Sequence, residues 1–358
     1  MKKLTIKEIA QLANVSEGTV DRVIHNRSGV SERTRQKIQQ IIDRHEFSLN
    51  PIASALASSR QYTIGVLIPR KDIRSDYWEM PYRGIEAGWA RIKDFGFSVR
   101  YFLYDQFDEA SFDTCFDQLV EAAPDGVILA PIFAREAAQK IPLLEERQIP
   151  YLFMDTQLVG FESISFVGQD SFEGGVVAAR LMQLFLSEKG KSVILQTRQN
   201  ISNHDAIFKR IGGYQSFFAT NYPQNEVLTL FVADTAAIPE MQSQIRAFLE
   251  AHPAVEGVFV PSSRISTFSG FFPNRIALIG FDTTTSNINA LERGEIKFLI
   301  SQKSFDQGFQ AVLLLFDYLL YKKIPRRQYF SDIEIVLKEN IKYTSFANNN
   351  SKIFPDFK

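Results

Sequence analysis

The segment Thr5 to Arg22, TIKEIAQLANVSEGTVDR, constrains this chain more than any other stretch. Thr5 and Glu8 stand at the spacing of a capping box, in which hydroxyl and carboxylate satisfy orphan N–H groups at a helix start, beside the apolar positions Ile6, Ile9, Ala10 and Ala13. Asn14 and Val15 break that period. Ser16 can then cap a second helix whose apolar positions, Val20, Val23 and Ile24, follow i, i+3, i+4 spacing. The result is a helix-turn-helix with Glu17, Gly18, Thr19, Asp21 and Arg22 on the exposed side of its second helix. Such a helix can lie in a DNA major groove with its N-terminal residues against base edges. The same spacing also suits a small helical bundle with no nucleic acid partner.

Ser31 can cap a third amphipathic helix, with Ile38, Ile41 and Ile42 closing the bundle. Beyond it runs Asn50-Pro51-Ile52-Ala53-Ser54-Ala55-Leu56-Ala57-Ser58-Ser59-Arg60, small in its residues and too short to be a stable isolated helix. Charge follows the same division. Residues 1–60 carry ten Lys and Arg against six Asp and Glu, net +4, and the remainder carries thirty against thirty-five, net −5. The basic excess sits where phosphate contact requires it.

TIKEIAQLANVSEGTVDRVIHNRSGVSERTRQKI followed by NPIASALASSR resembles the head and hinge of the lactose-repressor (LacI-type) family of bacterial transcription factors. The resemblance places Glu17, Gly18 and Arg22 where that family reads bases, and Ser16 and Thr19 where it holds phosphates. It also brings Thr5 and Asn50 to the DNA, and makes Leu56 an apolar wedge in the minor groove. Arg22 can donate two hydrogen bonds to guanine, and Ser16 and Thr19 one each to phosphate oxygens. Glu17 can accept from cytosine N4 or serve only as an acid favoured at a helix start. Gly18 has no side chain to read with. Asp21 departs from the small hydroxyl residue usual in the family and sets a negative charge near the DNA backbone. Two heads imply a homodimer on a pseudo-palindromic operator of double-stranded DNA.

A chain of 358 residues, 45% of them hydrophobic, is long enough for two to three domains. A lone Cys115 excludes an internal disulfide framework, and four scattered histidines make no metal-ligand pattern. Although the chain begins Met-Lys-Lys, Lys7 and Glu8 interrupt what a signal peptide would need as its apolar core, so a cytoplasmic location is expected. The apolar run Ala311 to Leu320 is about half a membrane span and contains Asp317, which fits a buried helix.

After Arg60 the texture becomes strand-like runs separated by amphipathic stretches: 62–69, 98–104, 126–130, 150–154 and 164–168, then 192–197, 227–232, 257–261, 276–281, 296–302 and 333–337. This is βαβ punctuation, and it predicts an α/β sensor of two doubly wound parallel-sheet lobes behind an all-α head. Ligands in such sheets sit beyond the carboxyl ends of strands. The polar residues there are Tyr77-Trp78, Asp105, Asp155-Thr156-Gln157, Arg198, Ser262-Ser263-Arg264, Asp282 and Gln302, with His204 and Asp205 in a loop able to face them.

The body is similar to the type I periplasmic-binding-protein fold that the LacI-type family uses as its sensor, through ILAP at 128–131, FVGQDSFEGG at 166–175, RIGGY at 210–214, ALIGFD at 277–282 and LISQ at 299–302. That similarity implies three crossings between lobes. It divides the chain into a head (1–48), a hinge (49–61), a sensor (62–345) and a tail (346–358), with lobes of about 62–162 plus 293–325 and 163–292 plus 326–345. The polar Asn348–Ser351 run and the lack of a heptad lean against a tetramerisation coil.

In the cleft, Tyr77 and Trp78 suit the C–H face of a sugar ring, though Trp78 equally suits core packing. Asp155, Arg210, Asp282 and Gln302 suit its hydroxyl rim, with Asp105 and Ser262 beside them, while Arg210 can instead pair with a structural acid. Thr156 is smaller than the ring-contacting residue common there. No activated nucleophile, phosphate loop, metal site or cofactor motif emerges. The expected function is therefore effector-controlled, sequence-specific DNA binding with a carbohydrate effector and no membrane partner. The alternatives are a stand-alone sugar-binding protein and a sugar-cleaving enzyme that uses Asp155 and Asp282 as paired carboxylates.

Overall fold

Helices α1 (Ile6–Ala13), α2 (Glu17–Ile24) and α3 (Glu32–Arg44) stand where caps and apolar spacing demand them in the computed structural model. It describes residues 6–24, 28–45, 60–71, 76–197, 203–233 and 237–344. Asn14 ends α1 in the left-handed region at φ 56°, which asparagine tolerates. The Ser16 hydroxyl accepts from the Thr19 N–H at 3.2 Å, and that of Ser31 from the Thr34 N–H at 3.3 Å, so these two of the three expected caps form, the Thr5 cap lying outside the described residues. Ile9, Ala10, Ala13, Val20, Val23 and Ile38 make the core, with Ile41 and Ile42 packed against it. Helices this short are unstable alone, and their apolar stripes hold them by meeting.

The chain divides into two units, Met1–Arg60 and Gln61–Lys358. In the second, strands β1 (Tyr62–Pro69), β2 (Phe97–Tyr104), β3 (Gly126–Leu129), β4 (Tyr151–Met154), β5 (Phe166–Gly168) and β11 (Gln328–Phe330) form one sheet, in the order β11-β5-β4-β3-β1-β2. Strands β6 (Lys191–Gln196), β7 (Val227–Phe231), β8 (Val255–Val260), β9 (Ala277–Phe281), β10 (Phe298–Ser301) and β12 (Glu334–Val336) form another, in the order β12-β10-β9-β8-β6-β7. Every described pairing is parallel except β10 with β12.

Helices cover both faces of each sheet. On the first lie α4 (Glu79–Ile92), α5 (Glu109–Ala122), α6 (Ala134–Lys140), α7 (Pro142–Glu146) and α13 (Ser304–Tyr321); on the second, α8 (Ser171–Gln183), α9 (Asp205–Asn221), α10 (Ile238–Ala251), α11 (Ile265–Phe268) and α12 (Thr285–Glu292). The period of two decides which side chain meets which layer. Ile64, Val66 and Ile68 pack toward α4 and α13, while Leu67 between them packs toward α5 and α6. The run Ala311 to Leu320 is part of α13, with Ala311, Leu315 and Leu319 buried. No described helix is long and apolar enough to cross a membrane.

Two features differ from the expected lobes. Strand β11 was not anticipated, because it is a three-residue edge with its side chains largely outside. The crossings also come later than about 162, 292 and 325. β5 pairs with β4, β10 with β9, and β11 with β5, so among the described residues the chain passes between sheets after Gly168, Ser301 and Phe330. Hydrophobic rhythm reports that a strand exists, not which sheet it joins. The passages are tied together: the Gln169 side chain donates to the carbonyls of Ser301 at 3.1 Å and Asp332 at 3.3 Å, and the Ser331 N–H to that of Gly168 at 2.7 Å.

Candidate functional site

The head presents Ser16, Glu17, Gly18 and Arg22 exposed and Thr19 partly so, all on the side of α2 away from Ile9 and Ile38. Ser16 and Thr19 hydroxyls hydrogen-bond each other at 2.9 Å, so one of the two O–H groups is left to donate to an outside acceptor. A Cβ at Gly18 would meet only the Ser16 hydroxyl, at 3.9 Å, which makes this position open surface and not a packing requirement. Thr5, Asn50 and Leu56 lie outside the described residues, as do Arg198 and nearly all of the expected hinge and tail.

In the sensor, a cleft lined from both lobes opens at the carboxyl ends of the strands, where ligands of open α/β sheets sit. Asp155 follows β4 and Asp282 follows β9, the third strand in from the same edge of each sheet. Both aspartates are left-handed, φ 68° and φ 71°, and both donate their N–H to the next strand, to Val167 at 2.9 Å and Ile300 at 2.8 Å. Aspartate is among the few residue types at ease in that region, so one turn, used twice, projects a carboxylate from each lobe.

Arg210, in the second turn of α9, lies between the charges. Its Nη1 donates to the Pro261 carbonyl at 3.1 Å, and the guanidinium stacks 4.0 Å from the centre of the Phe281 ring. Tyr77 donates its hydroxyl to Asp155, and Thr156 does so at 3.1 Å. Gln302 donates to Asp282 at 2.7 Å. Asp155, Arg210, Asp282 and Gln302 are only 3–7% exposed. The Arg210 Nε donor and the Gln302 Oε1 acceptor are buried with no partner among the described residues. An orphaned buried polar atom costs about 1–3 kcal/mol, which a ligand bearing both donor and acceptor would relieve.

Burial pushes the Asp155 carboxyl up, against hydrogen bonds from Tyr77 and Thr156 and the charge of Arg210. Burial also pushes Asp282 up to about 7, opposed by Arg210 and Gln302 and assisted by Asp155 and Asp76. An acid whose folded-state pKa is raised contributes stability below its unfolded value and loses it as pH rises toward the folded one. Asp282 should therefore weaken the fold progressively from about pH 4 to about pH 7. Asp282→Asn keeps the left-handed tolerance and removes the charge. We expect it to melt several degrees above the parent at pH 8 and close to it at pH 4, as read by circular dichroism.

Residues 5–50 match the family described as bacterial regulatory proteins, lacI family, and residues 64–323 match the periplasmic binding protein domain. The ribose operon repressor of Halalkalibacterium halodurans is 25% identical over 94% of this chain and 97% of its own length. The chain belongs to the LacI family of bacterial regulatory proteins. The head is also 39% identical over 74 residues, 21% of this chain and 24% of the relative, to the HTH-type transcriptional regulator TreR of Salmonella typhimurium. A solute-binding protein of an ABC transporter from Agrobacterium vitis, solved with α-D-tagatopyranose, superposes with a TM-score of 0.70 at 21% identity over 80% of this chain and 98% of that one. That likeness shows the fold alone.

As a LacI-family regulator the chain joins a DNA-binding head to an effector-sensing body, and the relatives cited here are named as repressors and regulators. Of the residues expected in the cleft, Tyr77, Trp78, Asp155, Arg210, Ser262, Asp282 and Gln302 line it. Trp78 packs as core, 3% exposed in the first lobe, meets Tyr77 edge-on at 5.1 Å and also lines the cleft. Asp105 does not line the cleft. Its carboxylate pairs with Arg70 at 2.6 Å and accepts from the Phe107 N–H at 2.9 Å, an Asx turn that presents Gln106 to the cleft instead. Sequence reasoning also missed Asn287, fully buried, whose amide donates to the carbonyls of Ser263, Phe281 and Asp282 at 2.9–3.0 Å and so holds the Asp282 turn.

Proposed function

We propose that the sensor of this regulator binds a neutral carbohydrate between its lobes, and that this binding sets the affinity of a cytoplasmic homodimer for a pseudo-palindromic operator. The observation that carries the reading is a pair of buried groups, Arg210 Nε and Gln302 Oε1, that have no partner among the described residues and line one cleft with two carboxylates. A hydroxyl both donates and accepts, so a ring of hydroxyls satisfies Asp155, Asp282, Arg210 and Gln302 together, while the faces of Tyr77 and Trp78 suit ring C–H groups. The two carboxylates disfavour an anionic sugar.

Similarity to a ribose operon repressor over most of the chain makes D-ribose the first probe, followed by other unphosphorylated pentoses, hexoses and disaccharides. Titration calorimetry should find one of them bound by the full chain. Asp282→Asn should weaken that sugar at least tenfold, by loss of a charge-assisted hydrogen bond worth about 1.5–3 kcal/mol. No heat from any unphosphorylated sugar, with a sugar phosphate bound instead, would overturn the neutral-ligand reading.

At the head, Arg22 is proposed as the main base reader, with Ser16 and Thr19 on phosphates. Arg22→Ala should cost about 1–3 kcal/mol on an operator selected from random duplexes, and relax preference at one base pair in each half-site. Equal weakening on all sequences, with a reduced salt slope, would instead make Arg22 a phosphate contact.

A further inference from the structure

Asn203, immediately ahead of α9 in the second lobe, reaches across to the first and is 5% exposed. Its Oδ1 accepts from the Arg135 N–H at 2.8 Å, and its Nδ2 donates to Glu109 at 2.9 Å and Glu136 at 2.8 Å. Glu109 opens α5, and Arg135 and Glu136 open α6. The Arg135 guanidinium pairs with the same two carboxylates, at 3.1 Å and 2.6 Å, so both are held between it and the amide. Next to this knot the Phe133 and His204 rings meet at 5.7 Å.

We propose that Asn203 is a positioning residue that latches the two lobes shut across the cleft and fixes Arg210, two helical turns further along α9; its bearing on effector binding rests on the cleft reading above. None of the three Asn203 hydrogen bonds can survive separation of α9 from α5 and α6. Separation also leaves Glu109 and Glu136 side by side with only Arg135 to balance them. Although burial opposes it, hydrogen bonds from Asn203 and Arg135 hold Glu136 below the usual carboxylate range, so this acceptor is charged at neutral pH and its bond from Asn203 is of the strong kind. Among the described residues, Asp76 also joins the lobes near the cleft by accepting from the Thr285 N–H at 3.2 Å, and that contact is exposed.

The test needs no sugar. In the full chain with Cys115→Ser, spin labels at Glu121→Cys on the first lobe and Gln215→Cys on the second report lobe separation by pulsed dipolar spectroscopy. The parent should show mainly the short distance. Asn203→Ala should lower the short-to-long ratio about tenfold, and Asn203→Asp, which aims a third carboxylate at Glu109 and Glu136, by at least as much. Glu109→Gln, acting from the other lobe, should lower it less, and it serves if melting curves show that the Asn203 variants fold poorly. A parent already at the long distance, or Asn203→Asp and Glu109→Gln distributions identical to that of the parent, would overturn the latch. Because no ligand enters, this failure is distinct from a failure to find a bound sugar.

Discussion

Arg210→Ala is expected to abolish sugar binding and to remove about 3–5 kcal/mol of sensor stability, the scale found when one partner of a buried ionic cluster is deleted. Arg210 is the cation that lowers both Asp155 and Asp282 against the effect of their burial. Without it both acids rise further and take up protons, so the loss should be larger at pH 8 than at pH 5. Urea denaturation at the two values checks this. Arg210→Lys separates the roles: it retains a charge for the carboxylates but loses the planar stack on Phe281 and the forked donor set. Most of the stability should return while binding stays at least tenfold weaker. An alanine variant as stable and as sugar-responsive as the parent would contradict the site.

The second large effect is expected one helix away. A Cβ at Gly175 of α8 would sit 2.0 Å from the Arg210 carbonyl oxygen, and one at Gly213 of α9 would sit 2.0 Å from that of Phe172. The two helices touch backbone to backbone, and neither oxygen can swing aside as a side-chain tip would. Gly175→Ala must therefore push α9, and Arg210 with it, outward. Overpacking of this kind costs about 1–3 kcal/mol, and here binding should be lost as well. Gly212 is the control: a Cβ there meets the Phe172 ring at an ordinary 3.8 Å, so Gly212→Ala should melt and bind like the parent. Equal behaviour of the Gly175 and Gly212 variants in a thermal-shift assay would refute the close-contact account.

The physical content of FVGQDSFEGG and RIGGY is now visible. In the first, Gly168 ends β5, Gln169 ties the three passages, Asp170 caps α8 by accepting from the Phe172 and Glu173 N–H groups, and Gly175 admits α9. In the second, Arg210 faces the cleft, Gly213 completes the close approach, and Tyr214 stacks on Phe259 at 4.5 Å. Caps, apolar periods and strand ends are local physics, and they were readable along with most cleft-lining side chains. Sheet membership of β5, β10 and β11 was not, because the choice between two parallel sheets is made by long-range pairing. Asp105 is expected in the cleft because an acid past a strand end looks like a ligand group. An Asx turn and Arg70 hold its carboxylate away from the cleft, and neither is visible in the strand-end pattern. Asn203 and Asn287 carry no sequence signal at all, since each owes its role to polar partners brought in from far along the chain.

What fills the cleft at Arg210 and Asp282 is proposed to change how the head holds DNA. The most direct measurement is the fluorescence anisotropy of a selected operator duplex titrated with the full chain across a salt series, with and without the sugar that calorimetry identifies. We expect steep salt dependence, a shift in operator affinity of tenfold or more on adding the sugar, and loss of that shift, with DNA binding retained, in Asp282→Asn. A sugar that binds the cleft yet leaves operator affinity unchanged at every salt concentration would contradict it, because a ligand that prefers neither state moves no equilibrium.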